Sequence, residues 1–212
     1  HGTITYPNGD TYTGEYENGK RCGTGIYDWN SGDQYNGDWS ADKMDGEGTY
    51  TFSSGVRLTG EFSDNQFHSG EYKTNSEAGT YTFTLKNGQA VAVELSLQNG
   101  LKYSGGFSDG AFHGQGKIIY TTGESYEGGF IGGLRSGKGI YRWTDGAYYD
   151  GQWSEDKMSG EGTYYYPKDS DGYKLTGTFS DGKPNGECKY YVTSSRSYST
   201  TWNNGKCIKV TE

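Results

Sequence analysis

The side chains that could do acid–base or nucleophilic chemistry are few: the 212 residues include three histidines and three cysteines. His68 and His113 each follow a phenylalanine, and His1 stands at the chain start. No Ser-His-Asp spacing, nucleophile elbow or phosphate-binding loop accompanies them. A loop residue that bonds its own turn explains such a histidine better than a catalytic base does. The sequence therefore predicts no catalytic residue and no enzyme.

Metal and cofactor chemistry has little support either. Cys22, Cys188 and Cys207 form no Cys-x-x-Cys pair and leave one cysteine over, so we expect neither a zinc site nor a disulfide framework. The segment 169–172 resembles half of a calcium loop but lacks the closing glutamate, and a solvated acidic turn is the simpler interpretation. We expect no cofactor and no metal.

Charge narrows the choice of partner. Acidic residues outnumber basic ones by 27 to 19, and the formal net charge is −8. Nucleic acids and anionic lipids attract basic patches, so we expect no nucleic-acid partner, and direct lipid binding is disfavoured. Lys20-Arg21, and Lys206 with Lys209, are the nearest approach to a basic run. The sequence shows neither a membrane-spanning apolar stretch nor a signal peptide, and localisation stays open.

A pattern of aromatic residues and glycines recurs every 23 residues, and any functional side chains must be positioned by this repeat. One copy consists of Tyr12, Gly14, Tyr16, Gly23, Gly25, Tyr27 and Trp29. Adding 23 gives Tyr35, Gly37, Trp39, Gly46, Gly48, Tyr50 and Phe52, and the same register returns from Tyr103 onwards. A fixed period of this size is typical of an array of small units, not of one globular core.

The spacing within a repeat predicts two strands. Tyr12, Gly14 and Tyr16 are two apart and so share one face of a strand. The second half alternates likewise, and Asn18-Gly19 with the five residues around it fits the turn between the halves. We expect each ring to lie on glycines of the neighbouring repeat, where no Cβ intervenes. The whole pattern predicts about seventeen strands and no helix.

A longer period lies over the first. Residues 38–50 match 152–164 with a shift of 114, and 58–64 match 175–181 with a shift of 117, so 167–172 contains a three-residue insertion. We predict two blocks of repeats, 1–99 and 100–212, each with a divergent last repeat, in one continuous array. Residue 1 falls inside a repeat, and we therefore expect the chain to be a fragment of a longer protein.

The string Tyr-x-Gly-x-Trp/Tyr/Phe, six residues, Gly-x-Gly-x-Tyr resembles the MORN repeat (membrane occupation and recognition nexus). The clearest copies are residues 9–29, 32–52, 100–120, 123–143 and 146–166. The resemblance implies an all-β, elongated, single-layer array of tandem β-hairpins with an aromatic-lined groove. It also implies a non-catalytic scaffold, dimerisation element or targeting module, as in junctophilins.

Two sets of aromatic rings are candidates for a binding surface. The groove set consists of Trp39, Trp143 and Trp153, with Tyr141 and Tyr164. The off-register set consists of Tyr148, Tyr165 and Tyr191, with Tyr173, on the face opposite the repeat aromatics. Every repeat needs its groove rings for stacking, whereas the off-register rings are not needed, and rings that stability does not require are the better markers of binding. Tyr165 and Tyr191 occupy equivalent positions in neighbouring repeats, and we expect them to lie close together.

Two functions compete. The first is a scaffold that mediates protein–protein interaction or targeting of a larger protein, with a protein partner and with self-association as a further possibility. The second is a carbohydrate or cell-wall binding module, because choline- and glucan-binding repeats also use short hairpins rich in glycine and aromatics. The spacing matches the MORN repeat better.

Overall fold

The computed structural model describes residues 1–211, which form nineteen strands and no helix. The chain divides into two compact units, His1–Gln98 and Asn99–Glu212. Within each unit every strand pairs antiparallel with the next strand along the chain. The expected all-β fold of tandem hairpins is confirmed for the described residues, with two strands more than the sequence suggested.

The first unit contains β1 to β9. Their bounds are Gly2–Thr5, Thr11–Glu17, Lys20–Asp28, Gln34–Ser40, Lys43–Thr51, Arg57–Ser63, Gln66–Ser76, Gly79–Lys86 and Gln89–Leu97. The second unit contains β10 to β19. Their bounds are Lys102–Ser108, Ala111–Ile119, Ser125–Ile131, Leu134–Arg142, Tyr148–Ser154, Lys157–Tyr165, Lys174–Ser180, Lys183–Tyr191, Ser197–Asn203 and Lys206–Thr211.

The turn within a hairpin has only two residues, fewer than the sequence suggested. Asn18 and Gly19 have φ of 50° and 78°, the left-handed conformation that a type I′ turn requires at both positions. This turn follows the right-handed twist of the flanking strands and so permits the shortest connection. Most other hairpins use the same pair of left-handed residues, including the glycine-free Ala41–Asp42 and Glu155–Asp156.

In five of the hairpins a buried tyrosine packs against the glycines of its own hairpin. Tyr12 is 0% exposed, and a Cβ on either Gly14 or Gly25 would collide with its hydroxyl group. A β-bulge after Gly14 leaves the Glu15 carbonyl free, and the Tyr12 hydroxyl donates to that oxygen at 3.2 Å. The same bond recurs from Tyr35, Tyr103, Tyr126 and Tyr149. The glycines accommodate a ring, as expected, but the ring belongs to their own hairpin.

The burial of these five rings stabilises the hairpins that contain them. All five lie between 0% and 2% exposed. Burial of one such ring contributes about 2–3 kcal/mol. Within each unit we call the side of the sheet that carries these rings the groove face and the opposite side the outer face.

Most connections from one hairpin to the next within a unit have five residues, although that between β7 and β8 has two. A carboxylate organises several of the five-residue connections. Asp10 accepts a hydrogen bond from the Tyr27 hydroxyl at 2.7 Å and another from the Asn30 backbone N–H at 2.9 Å. These bonds, the backbone one foremost, hold the pKa of Asp10 below its usual value. The connection between β15 and β16 has eight residues, 166–173, which confirms the three-residue insertion.

Candidate interaction surface

The off-register tyrosines lie on the outer face of the second unit. In β14, Tyr149 is fully buried on the groove face, and its neighbour Tyr148 therefore points to the outer face. Tyr148 pairs with Tyr165 of β15, and their rings stack with centroids 4.1 Å apart and planes 10° from parallel. Both rings are half-buried. The strand alternation thus exposes one face of an aromatic stack.

Cations extend this stack across five strands. Arg142, Tyr148, Tyr165, Lys174 and Tyr191 are consecutive cross-strand partners from β13 to β17, and we call this set the tyrosine ladder. The Arg142 guanidinium lies 5.2 Å from the Tyr148 ring centroid. The Lys174 ammonium lies 5.7 Å from the ring of Tyr165 and 4.7 Å from that of Tyr191. Each of the two cations therefore lies within about 6 Å of the centroid of at least one ring of the ladder.

Tyr165 and Tyr191 are separated by one strand. Lys174 on that strand lies between them and approaches both rings, so the two tyrosines are bridged through a cation. Tyr173 is 44% exposed and meets Tyr165 edge-on at 6.1 Å. Tyr165 and Tyr191 therefore belong to the same ladder, with Lys174 between them.

The ladder borders a shallow pocket of about 400 Å³. Tyr148, Tyr165, Tyr173, Lys168 and Thr193 are among the residues that line it. Burial raises the pKa of Tyr148, with the neighbouring Tyr165 as the next cause, so the Tyr148 hydroxyl group is a neutral donor. The surface therefore offers aromatic area, hydroxyl donors and positive charge on a chain of net charge −8.

The first unit has no aromatic residues in the row of cross-strand partners that corresponds to the tyrosine ladder. There Asp28, Gln34, Thr51, Arg57 and Lys73 are consecutive cross-strand partners. The Gln34 amide donates to the Asp28 carboxylate at 2.7 Å, where the second unit has Arg142 facing Tyr148. The same hairpins thus form without outer-face tyrosines. The rings of the ladder are additional to what the fold requires.

The groove candidates divide into buried and accessible rings. Trp39 and Trp153 are 5% and 6% exposed, and each indole N–H donates at 3.1 Å to a carbonyl of the preceding strand, that of Gly25 or Gly139. These two tryptophans hold adjacent hairpins together. Trp143 is half-buried. It stands in a row with Tyr141 and Tyr164 at 4.8 and 5.3 Å.

Two arginines on the groove face were not predicted from the sequence as site residues. The Arg135 guanidinium lies 4.4 Å from the Trp153 ring centroid, 5.0 Å from that of Tyr141 and 5.8 Å from that of Tyr126. Arg21 is held identically by Tyr12, Tyr27 and Trp39, at 5.7, 5.0 and 4.3 Å. We call these two arrangements the arginine cages.

A turn aspartate of the next hairpin closes each cage. Asp156 accepts the Arg135 backbone N–H and Nε at 2.9 and 2.8 Å, and its own carbonyl accepts the guanidinium at 2.8 Å. Asp42 does the same for Arg21. The signal in the sequence was the coincidence of Arg21 with Arg135 and of Asp42 with Asp156 at the spacing of 114.

The histidine and cysteine side chains, which could act in catalysis or bind a metal, are dispersed over the structure. His68 and His113 are exposed on different hairpins, and Cys22, Cys188 and Cys207 are free thiols. No group of three histidine, cysteine or carboxylate side chains within residues 1–211 could hold a metal ion. In that same range no helix is both long and apolar enough to cross a membrane.

The repeat geometry agrees with a known family. The family model described as the MORN repeat matches seven segments, residues 1–11, 12–34, 35–57, 103–125, 126–148, 149–170 and 176–196. The chain belongs to the MORN repeat family. The matched MORN segments include the three tyrosines of the ladder and both arginine cages. The unmatched parts are 58–102, 171–175 and 197–212, and they fall largely where the sequence pattern is weak or where the insertion interrupts it.

Solved structures give distant likenesses to this MORN chain. The TCP10 domain of Danio rerio CPAP is 14% identical with a TM-score of 0.46, covering 99% of both chains. The SAS-4 (dCPAP) TCP domain of Drosophila melanogaster, solved with a proline-rich motif of Ana2, is 13% identical with a TM-score of 0.41, covering 84% of this chain and 88% of that one. These values are too low to carry function between the proteins. No curated protein matches the chain.

Proposed function

We propose that this MORN array is a non-catalytic scaffold that holds a protein partner on the tyrosine ladder of its second unit. One observation carries the proposal: the ladder places three tyrosines and two cations on a face that the corresponding hairpins of the first unit build from polar residues. Aromatic rings that the fold does not need, beside arginine and lysine, have the composition of protein interfaces.

The charges of the ladder indicate the chemistry of the partner. Arg142 and Lys174 lie within the ladder, and Lys189 approaches Tyr191 at 5.5 Å. A segment with acidic side chains beside apolar ones would satisfy these cations and cover the rings. Neighbouring strands of the sheet are about 4.8 Å apart, so the members of the ladder are regularly spaced across it. This spacing favours an extended segment that lies across the strands.

Selection from a phage-displayed library of random 12-residue peptides tests the proposal. The decisive variant is Tyr148→Gln/Tyr165→Thr/Tyr191→Lys, which installs the residues that the first unit carries at positions 34, 51 and 73. We expect enriched peptides to be acidic and to bind the wild-type array at least about tenfold more tightly than the variant, a difference of about 1.4 kcal/mol.

Two controls separate binding from folding. Loss of the Tyr148–Tyr165 stack removes about 0.5–1.5 kcal/mol, so the variant should melt only a few degrees lower. The matched control Gln34→Ala/Thr51→Ala alters the same rung of the first unit and should keep full peptide binding. Peptides that bind the ladder variant as well as the wild type would contradict the proposal, as would the absence of any enriched peptide.

The competing occupants are distinguishable. Binding of sugars on a glycan array, abolished by the ladder variant, would favour the carbohydrate function. Sedimentation velocity at increasing concentration tests self-association: a dimer that the ladder variant abolishes would make a second copy the occupant of this face.

A further inference from the structure

A second site lies on the groove face at the C-terminal end of the second unit. The last hairpins enclose an open pocket of about 620 Å³. Its walls include the rings of Tyr166, Tyr190, Tyr198 and Trp202, and its lining includes Asp171 of the insertion. No lysine or arginine lines it. An aromatic pocket with one carboxylate and no cation of its own favours binding of a positively charged group.

The walls of the pocket correspond to the walls of the arginine cages. Tyr190 pairs with Tyr198 as Tyr27 pairs with Tyr35. Trp202 pairs with a glycine of the preceding strand, Gly186, just as Trp39 and Trp153 do with theirs. Tyr190 and Trp202 therefore occupy the positions of the two rings closest to each caged guanidinium. In both cages the rings at these two positions accept a guanidinium group.

The residue that would fill a third cage is missing. Arg21 pairs with Tyr16, and Arg135 with Phe130, in the second cross-strand pair from the turn. The residue at that place here is Pro184, paired with Phe179, and proline is uncharged and too short to reach between the rings. The cation of the cage is thus absent from the chain at this position.

A second substitution opens the site. Thr200 replaces the register glycine, and its hydroxyl donates to the Cys188 carbonyl at 3.0 Å. The Trp202 indole N–H consequently donates to Thr200 Oγ1 at 2.9 Å, whereas Trp39 and Trp153 donate directly to the backbone of the preceding strand. Trp202 is half-buried in place of being nearly fully buried. The altered indole leaves the pocket accessible from solvent.

We propose that this pocket binds an arginine side chain of a partner protein. The guanidinium stacks between Tyr190 and Trp202, and Asp171, which lines the same pocket from the connection between β15 and β16, supplies a carboxylate to pair with it. Guanidinium is planar and weakly hydrated, so it loses less on leaving water than an ammonium does and can stack and pair at once. This site lies on the face opposite the tyrosine ladder, and the inference does not rest on the proposed function.

Nuclear magnetic resonance titration with N-acetylarginine methylamide tests the inference on the full chain. The signal of the Trp202 indole N–H, assigned with Trp202→Phe, reports occupancy among the five tryptophans. N-acetylcitrulline methylamide has nearly the same shape without the charge. We expect the arginine probe to shift this signal with an affinity about tenfold above that of the citrulline probe.

Variants locate the binding. Asp171→Asn should weaken the arginine probe severalfold, whereas the matched control Asp169→Asn, a carboxylate of the same loop that does not line the pocket, should leave it unchanged. Tyr190→Leu should abolish the charge preference. Equal shifts from both probes would overturn the inference, as would shifts insensitive to Asp171→Asn. A proline dipeptide or a disaccharide that shifts Trp202 more strongly than the arginine probe would also overturn it.

Discussion

Replacement of Arg135 by methionine should remove the charge of a cage while keeping its volume. The chain itself has methionine at the corresponding position of the following hairpin, Met158, so the fold accepts that side chain there. The Arg135 side chain is 18% exposed, and its partner Asp156 is 42% exposed. The variant therefore isolates the guanidinium contacts from the packing of the stem.

The magnitude follows from the contacts. Stacking of a partly buried guanidinium on rings contributes about 1–2 kcal/mol. The hydrogen bonds to Asp156 add about 1 kcal/mol, reduced from the value of a buried pair because solvent reaches the carboxylate. We expect Arg135→Met to lower the free energy of unfolding by about 2 kcal/mol and Arg135→Lys, which loses the planar fork, by about 1 kcal/mol.

Urea unfolding followed by tryptophan fluorescence measures this loss. With a slope of about 2 kcal/mol per molar urea, the midpoint should fall by about 1 M. Asp156→Asn keeps the left-handed turn and should cost about 1 kcal/mol in the wild type but almost nothing when added to Arg135→Met. If Arg135→Met unfolds at the wild-type midpoint, the cage contributes no net stability and our reasoning is wrong.

Three further outcomes test the repeat. Gly151→Ala should cost about 2 kcal/mol or more because a Cβ there strikes the buried ring of its own hairpin, whereas Gly2→Ala, with open space at that position, should be neutral in thermal melts. Burial raises the pKa of Tyr126 to about 12, and its neutral form therefore stabilises the fold fully below pH 10; as pH rises through 12, absorbance at 295 nm and loss of β-sheet signal should increase together. The lowered pKa of Asp10 means that its stabilisation is present above pH 3.8 and lost as pH falls through the lowered value, so Asp10→Asn should destabilise at pH 7 and approach the wild type in urea melts near pH 2.

The sequence predicted the hairpins because few residue types carry their geometry. Tyr12 and Gly25 recur with fixed spacing, and only glycine leaves room for the ring, so periodicity predicts the strands and their faces. Periodicity did not predict that each ring packs on the glycines of its own hairpin and not on those of the neighbouring repeat. The length of the turns was harder to predict. Asn18-Gly19 is a recognisable two-residue turn, but Ala41–Asp42 and Glu155–Asp156 adopt the same pair of left-handed conformations without any glycine. Their conformation depends on tertiary contacts, among them those of Asp42 with Arg21.

The binding surfaces were harder to predict than the fold. The alternation of Tyr148 and Tyr149 along β14 indicates the outer face, but only the strand register shows that Lys174 stands between Tyr165 and Tyr191. Arg135 is a lone basic residue in the sequence, and its cage consists of rings on three different strands. Contacts of this kind depend on which strands are neighbours, which residue types alone do not specify.

The chain-order pairing of strands has a kinetic consequence. Every backbone ladder described within a unit joins a strand to its immediate successor, so the contact order is low for an all-β protein. Slow folding of β-sheets comes from closing long loops before distant strands pair, and here the longest connection within the second unit has eight residues. Folding can therefore nucleate at any hairpin with an intact tyrosine and spread to its neighbours in both directions.

The same locality determines how the array opens. A hairpin weakened in the middle of a unit, for instance by Gly151→Ala, divides the unit into segments that can unzip separately from the defect and from the outermost strands. Amide exchange should then be fastest beside the defect and slowest at intact hairpins on either side, instead of rising uniformly. A scaffold built in this way can lose one repeat locally while its remaining repeats stay folded and keep their surfaces.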